Sequence, residues 1–430
     1  MAPLRVLRVS AAFAPSAFSG PYYNRGMPIG TAVHARTFAL AESLNYREWS
    51  GFYAVSAYET HHEHEYNAIR NASALIDVSP LFKYMVHGRD AVRLVDRVIT
   101  RDAAKLAVGQ VYYTPWCDER GKVIDDGTVT RVEEDVFRWT AADPSLRWLT
   151  QNAVGLDVAI DDVSEQIAAL ALQGPTSGRL LRAVANADIN GLKYFRMTTG
   201  SIGGVTVDIS RTGYTGDLGY EIWMPWDRAV GVWDALMAGG RPFDIRPVGM
   251  LALDVARVEA GLLLIDVDFH SSKKALIESQ KYTPYEMGLG RLVQLDGAPF
   301  VGRAALADEQ RRGSARRIVG LEINWPAVER LYDALGLAPQ IPAAASRAAV
   351  PVYDVLRGGR QVGRATTTTW SPVLKKLIAL ATIEAPYCAE GTPLDFEITV
   401  EAVRHRVPAV VVRTPFFNPP RKVKPVMADG

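Results

Sequence analysis

An α+β fold that ends in a small antiparallel barrel or sandwich is what the sequence predicts, on two observations. Up to about residue 310, helix-like and strand-like stretches are mixed without the regular strand–helix–strand rhythm of a doubly wound sheet. After about residue 345 the texture changes: "VPVYDVL", "RQVGRATTTT", "LIALATI", "LDFEITV" and "VPAVVV" are short, β-rich runs broken by Gly and Pro.

The elements follow in order. Residues 1–47 lack strong periodicity and read as an N-terminal extension. In 59–75, "ETHHEHEYNAIRNASAL", helix formers prevail and Tyr66, Ile69 and Ala72 fall near one face. "FKYMVHG" alternates as a strand does, and "GRDAVRLVDRVIT" is an amphipathic helix with Val92, Leu94, Val95 and Val98 as its stripe. "YYTPWCDERGKVIDDGTVTRV" reads strand, turn, strand, with Gly121 at the turn. Strands follow at "IAALALQ", "GVTVDIS" and "GYEIWMP", and a helix at "DRAVGVWDALMAGG", stopped by its two glycines. "PAVERLYDALGLAPQIPAAASRAAV" is rich in Ala and Pro, so 311–350 reads as a linker or insertion between an α+β region, 48–310, and a C-terminal domain, 351–425.

Composition narrows the function. Forty-eight basic against 47 acidic residues leave a formal charge of +1, which gives no electrostatic case for nucleic acid or a membrane surface. No apolar run reaches the ~18 residues that span a bilayer. Cys117 and Cys388 form no CxxC pair, so a reducing, cytoplasmic setting is expected. "MAPLRVLRVSAAFAPSAFSG", with no acid before Glu42, is open to a transit-peptide reading, whereas Arg8 interrupts the apolar core of a signal peptide.

Three stretches carry candidate chemistry. "ETHHEHEY" holds three of the seven histidines. His61, His64 and Glu65 share a helical face, but no H-E-x-x-H motif is present, and His61 and Glu65 also suit a solvated first turn; no metal is expected. "RVITRDAAKL" sets Asp102 just beyond an apolar helix, ahead of Tyr112, Tyr113 and Trp116, a set able to orient a cationic substrate or a nitrogen nucleophile; Asp102 alone also reads as a helix cap. "SRTGYTGDLGYEIW" packs Gly213, Gly216 and Gly219 just before a strand that carries Glu221 between apolar neighbours. A buried carboxylate there needs a partner, and a two-donor edge such as that of a pterin suits it. No P-loop, G-x-G-x-x-G or G-x-S-x-G motif is present.

These stretches resemble a known family. "TRDAAKLAVGQ", "DERGKVIDDGTVTRV", "LALQGP", "SRTGYTGDLGYEI", "VEAGLLL", "FVGRAAL" and "TWSPVLKKLIALA" are similar, in the same order, to the glycine cleavage T-protein (aminomethyltransferase) family, from about Glu59 to Arg421. The resemblance implies a three-part cloverleaf around a central folate hole, with a C-terminal β-barrel, and tetrahydrofolate as cofactor. It implies Asp102 as the catalytic aspartate and Glu221 as the residue that holds the pterin. Tyr214, Tyr194 and Gln173 would line or shape the folate cavity. Asp118 falls where the family has Asn in N-E-x-G-G, so its folate contact is expected to be altered.

The departures bear on the substrate. The family writes G-A-R-D where this chain has "LALD", with Leu253 at the arginine, and His-Met where it has Pro80 and Leu81. The segment "IDVDFHSSKKALIESQKYT" is longer than usual. Losing a cation near the reacting group disfavours a lipoyl carrier protein as donor. The expectation is a demethylase that moves a methyl group from a small N-, S- or O-methylated compound to folate N5, with Tyr112, Tyr113 and Trp116 around the donor. The alternatives are an aminomethyltransferase acting on a lipoyl carrier, a module that accepts formaldehyde from a flavin partner, and a non-catalytic folate-binding assembly factor. Relatives of that last kind carry K-G-C-Y-x-G-Q-E, whereas this chain has Thr212 and no cysteine there.

Overall fold

The computed structural model describes residues 27–355 and 359–424. The transit-peptide reading of residues 1–20 lies outside them. The chain forms an α+β fold of three packed parts, as expected. The first is a seven-stranded sheet ordered 185–186, 197–202, 205–210, 219–225, 167–173, 73–77 and 245–247, antiparallel except for its last pair. The second is a five-stranded antiparallel sheet ordered 111–117, 123–133, 136–141, 82–87 and 159–162. The third is a closed six-stranded antiparallel barrel.

Alternation explains the layering of the seven-stranded sheet. In strand Ile167–Gln173, Ala168, Leu170 and Leu172 join one core, against the helices Ser177–Val184 and Ala229–Gly239. Ala169 and Ala171 join another, against Glu63–Asn71 and Met250–Glu259. Burial on both faces accounts for the continuous apolar run in "IAALALQ". In the five-stranded sheet the stripe Leu94, Val95 and Val98 of helix Ala91–Val98 packs on Trp116, Phe137 and Trp139. Gly121 turns the hairpin with φ +73°, which a side chain would oppose.

One buried carboxylate ties the parts together. Glu259 accepts from Tyr66 Oη at 2.6 Å, Arg70 Nη2 at 2.6 Å and Ser371 Oγ at 2.5 Å, joining two helices to a barrel strand. Asp268 likewise accepts from Arg257 and from the barrel's Thr366 and Thr367.

Three expectations are corrected. Residues 311–350 are not a linker: Arg316–Ile323 is a barrel strand, paired to Lys376–Glu384 and Val403–Val412, and helix Trp325–Ala334 packs Val328 into the barrel core. The described part of 1–47 is not a detached extension. Thr31 Oγ1 donates to Asp77 at 2.6 Å, Val33 is fully buried, and Asn45–Trp49 pairs with Phe52–Ala57. The helix expected across 59–75 spans only Glu63–Asn71, because Ser73–Asp77 pairs into the sheet. Among the described residues no helix is long and apolar enough to cross a membrane.

Candidate functional site

Strand Val111–Cys117 decides which aromatics face the site. Its period of two sends Tyr112 and Trp116 into one core and turns Tyr113 the other way. Trp116 is sealed, at 0 % exposure, edge-on to Trp139 with centroids 5.0 Å apart. The Arg101 guanidinium covers Tyr112 at 3.4 Å from its ring centre. The expected three-ring cage is therefore not assembled. Tyr113 alone stays partly accessible, donating its hydroxyl to Asp126 Oδ2 at 2.6 Å.

The glycine-rich loop is moulded on Gln173. That side chain is fully buried and accepts from Thr215 Oγ1 at 2.8 Å, while its Nε2 donates to Thr212 O and Tyr220 O at 3.3 Å. A Cβ at Gly213 or Gly219 would stand 2.1 or 2.2 Å from Gln173 Oε1, so these positions exclude side chains. Gln173 thus supports the loop from behind. On the front, Tyr214 donates its hydroxyl to Leu263 O. On strand Gly219–Pro225, Tyr220, Ile222 and Met224 enter one core, which turns Glu221 to the opposite face with Trp223. Glu221 Oε2 accepts from Thr212 Oγ1 at 2.5 Å, and its Oε1 has no partner among the described residues.

The two sheets meet where Val111 N donates to Phe195 O at 3.0 Å and Met197 N to Gly109 O at 2.7 Å. That junction brings Tyr194, packed edge-on to Phe195, beside Lys422, whose Nζ lies 5.9 Å from the Tyr194 ring centre. The exposed Arg291 acts electrostatically on Tyr113, Tyr194, Arg101 and Lys422, so these groups share one neighbourhood.

Asp102 sits at its edge, capping the turn Ala103–Lys105: Oδ1 accepts from Ala104 N at 3.0 Å, and Oδ2 pairs with Lys105 Nζ at 2.9 Å. The Lys105 ammonium holds its carboxyl below the usual range. Asp118 lies at the hairpin turn. Its Oδ1 accepts from Arg120 N and Lys122 N, both at 3.0 Å, so it is spent on the hairpin turn.

The histidine stretch is also resolved. His64 Nδ1 lies 2.7 Å from Glu59 Oε2. Glu65 is not solvated, as the sequence suggested, but 1 % exposed, accepting from Tyr58 N at 2.7 Å and from Gly249 N at 2.6 Å. Among the described residues no group of three His, Cys, Asp or Glu is placed to hold a metal ion.

Tyr113, Asp126, Tyr194, Tyr214 and Glu221 share a signature. Each keeps accessible surface, yet burial raises its pKa: Asp126 to about 6, Tyr194 to about 12 and the others in the same direction. These five groups are thus both part-exposed and desolvated. Glu221 has one oxygen without a partner among the described residues, and Tyr214 packs in the cluster of its strand neighbour Trp223. Sequence reasoning missed Asp126, although the acid doublet inside the apolar run "KVIDDGTV" was a readable signal.

Comparison with known proteins adds the following. Residues 31–297 match the family described as GCVT N-terminal domain, and 335–418 match the glycine cleavage T-protein C-terminal barrel domain. An aminomethyltransferase of Caldanaerobacter subterraneus subsp. tengcongensis is 32% identical over 359 residues, covering 82% of this chain and 87% of that one. A trimethylamine-oxide aldolase of Ruegeria pomeroyi is 34% identical over 410 residues, covering 92% of this chain but 48% of the relative. The crystal structure of the glycine cleavage system aminomethyltransferase T from Bartonella henselae superposes with a TM-score of 0.75 at 23% identity, covering 91% of this chain and 98% of that one, which shows the shared fold.

Proposed function

The chain belongs to the glycine cleavage T-protein family of tetrahydrofolate-dependent one-carbon transferases, and we propose that it takes a methyl group from a small N-, S- or O-methylated compound. The observation that carries this reading is the apolar wall beside Tyr214. Leu253, 8 % exposed, stands where the resemblance places a family arginine, and Leu81 where it places a methionine. Both pack in one cluster with Trp223, Met85, Met250 and Tyr214. A wall that lacks the family's arginine at Leu253 suits a small donor better than a charged carrier surface. The trimethylamine-oxide aldolase, whose name ties it to a small methylated nitrogen compound, supports the same class.

Tetrahydrofolate supplies the acceptor for the one-carbon group when bound. Glu221 would hold it through the free Oε1, with Oε2 fixed by Thr212. Tyr194 and Tyr214 would flank it, and Gln173 holds the Tyr214 loop in place. Asp102 is the candidate catalytic residue. Its partner Lys105 is 69% exposed, so the pair is weak and Oδ2 is free to turn toward a developing positive charge. Most of the acceleration would come from alignment of the two reactants. Cys117 and Cys388 are both free thiols, which fits a reducing, cytoplasmic setting.

A second reading, aminomethyl transfer from a lipoyl carrier, is favoured by the aminomethyltransferase relatives that span most of the chain. The test is turnover with tetrahydrofolate and a panel of small N-methyl, sulfonium and methoxy donors, followed by chromatography of methylated folate. Product from a small donor supports the proposal. Product only from an aminomethyl-lipoyl carrier overturns it in favour of the second reading.

A further inference from the structure

Asp125 and Asp126 sit side by side on strand Val123–Glu133 and differ in one respect. Every oxygen of Asp125 is engaged: Oδ1 accepts from Asp126 N at 2.8 Å, and Oδ2 from Ala142 N at 3.1 Å and Asp143 N at 2.9 Å. Asp126 accepts only the Tyr113 hydroxyl on Oδ2, and Oδ1 has no partner among the described residues. No Lys, Arg or His among the described residues forms an ion pair with it, whereas Asp143 pairs with Lys274 Nζ at 2.6 Å. Asp126 keeps accessible surface beside Tyr113, and its charge acts on Tyr214. Tyr214 in turn packs against the apolar wall of Leu81, Leu253 and Trp223.

A desolvated carboxylate without an ion-pair partner is costly unless a ligand brings a cation. Resting on the demethylase reading above, we propose that Asp126 is the counter-ion of the donor's onium group, with the Tyr113 and Tyr214 rings at its flanks, so that the donor is a small methylated cation. The aromatic faces add cation–π attraction, and the Tyr113 hydroxyl orients the carboxylate. The cation site thus lies one strand away from the ring set expected from the sequence and uses Tyr113 alone of that set.

The test is calorimetric titration of the full chain with tetramethylammonium, alongside its uncharged counterpart 2,2-dimethylpropan-1-ol. Wild type should prefer the cation at least tenfold. Asp126→Asn should lose at least tenfold in tetramethylammonium affinity with tetrahydrofolate affinity unchanged, and Asp126→Glu should restore most of it. Equal binding of the cation and the alcohol by wild type, or no cation binding, overturns the proposal whether or not the Asn variant folds. Loss of tetrahydrofolate binding in a folded Asp126→Asn chain also overturns it, because Asp126 would then belong to the cofactor's subsite. Failure of wild type to bind tetrahydrofolate would instead strike the proposed function.

Discussion

Thr212 donates its hydroxyl to Glu221 Oε2 at 2.5 Å and leaves Oε1 without a partner among the described residues, so one oxygen is fixed and the other is free. Burial pushes the Glu221 carboxyl upward while the Thr212 bond opposes that shift. A carboxylate so placed binds donors that reach both oxygens. Glu221→Ala should weaken tetrahydrofolate binding more than tenfold by calorimetry, since truncating a charged hydrogen-bond acceptor costs about 1.5–3 kcal/mol. Thr212→Val should have a smaller effect. Unchanged affinity in Glu221→Ala would remove Glu221 from the pterin site.

Asp102→Asn separates binding from turnover. The Asn side chain can still accept from Ala104 N, so the cap survives, while the charge is lost. Tetrahydrofolate affinity should stay within about threefold, and kcat should fall by roughly 10²-fold or more, the scale of a lost charge-stabilising group. Stopped-flow or steady-state assay of methylated folate measures it. A kcat close to wild type would reduce Asp102 to the cap it also is.

The sequence made the glycine loop and Glu221 legible because their signal is local: glycines at close spacing, then an acid in a strand. Side-chain facing was not legible. Tyr112, Tyr113 and Trp116 look equivalent in a strand with aromatics on both faces, and only the packing of Trp116 on Trp139 shows which face is core. Glu65 reads as a helix-start acid because its partner, Gly249 N, is 184 residues away. Residues 311–350 read as a linker because their alanines and prolines outweighed the strand "RRIVGLEI", whose partners lie 54 to 92 residues downstream.

Leu253→Arg restores the cation that the family pattern carries at this position. Leu253 is 8 % exposed in the cluster with Trp223 and Tyr214, so the new guanidinium meets an apolar wall. It should lower turnover of a cationic small donor at least tenfold through repulsion, with a stability loss of about 1–3 kcal/mol. Denaturant unfolding and donor kinetics read the two effects separately. Improved turnover of a cationic donor would contradict the account of this wall.

Glu259→Ala tests the hub. Arg70 would be left buried with Asp217 as its remaining carboxylate, at 3.5 Å, and Tyr66 and Ser371 would lose their acceptor. Removing one partner of a buried pair costs about 3–5 kcal/mol, so the variant should unfold at much lower denaturant, or in separate steps if the barrel releases first. A change under 1 kcal/mol would mean that the contact does not hold the parts together.

Asp126 gives two pH dependences of opposite sign. Burial pushes its carboxyl from the ordinary 3.8 to about 6, so between about pH 4 and 6 the folded chain holds a proton that the unfolded chain has released. Its contribution to stability is therefore full below about pH 4 and lost as pH rises through 6, by an amount on the order of 2–3 kcal/mol. Cation binding needs the ionised form and rises through the same window. Asp125 titrates with Asp126 as a pair, and burial also raises the Asp143 carboxyl against the pull of Lys274, whereas burial keeps the Tyr113 and Tyr214 hydroxyls protonated across it. Urea unfolding of wild type and Asp126→Asn at pH 4.5, 5.5, 6.5 and 7.5 separates the group from the rest of the protein on the scale of that shift. The wild type should lose stability relative to the variant as pH rises, and tetramethylammonium affinity should climb over the same interval in wild type alone. Parallel stability curves for the two chains would mean that the Asp126 carboxyl is not held protonated by the fold.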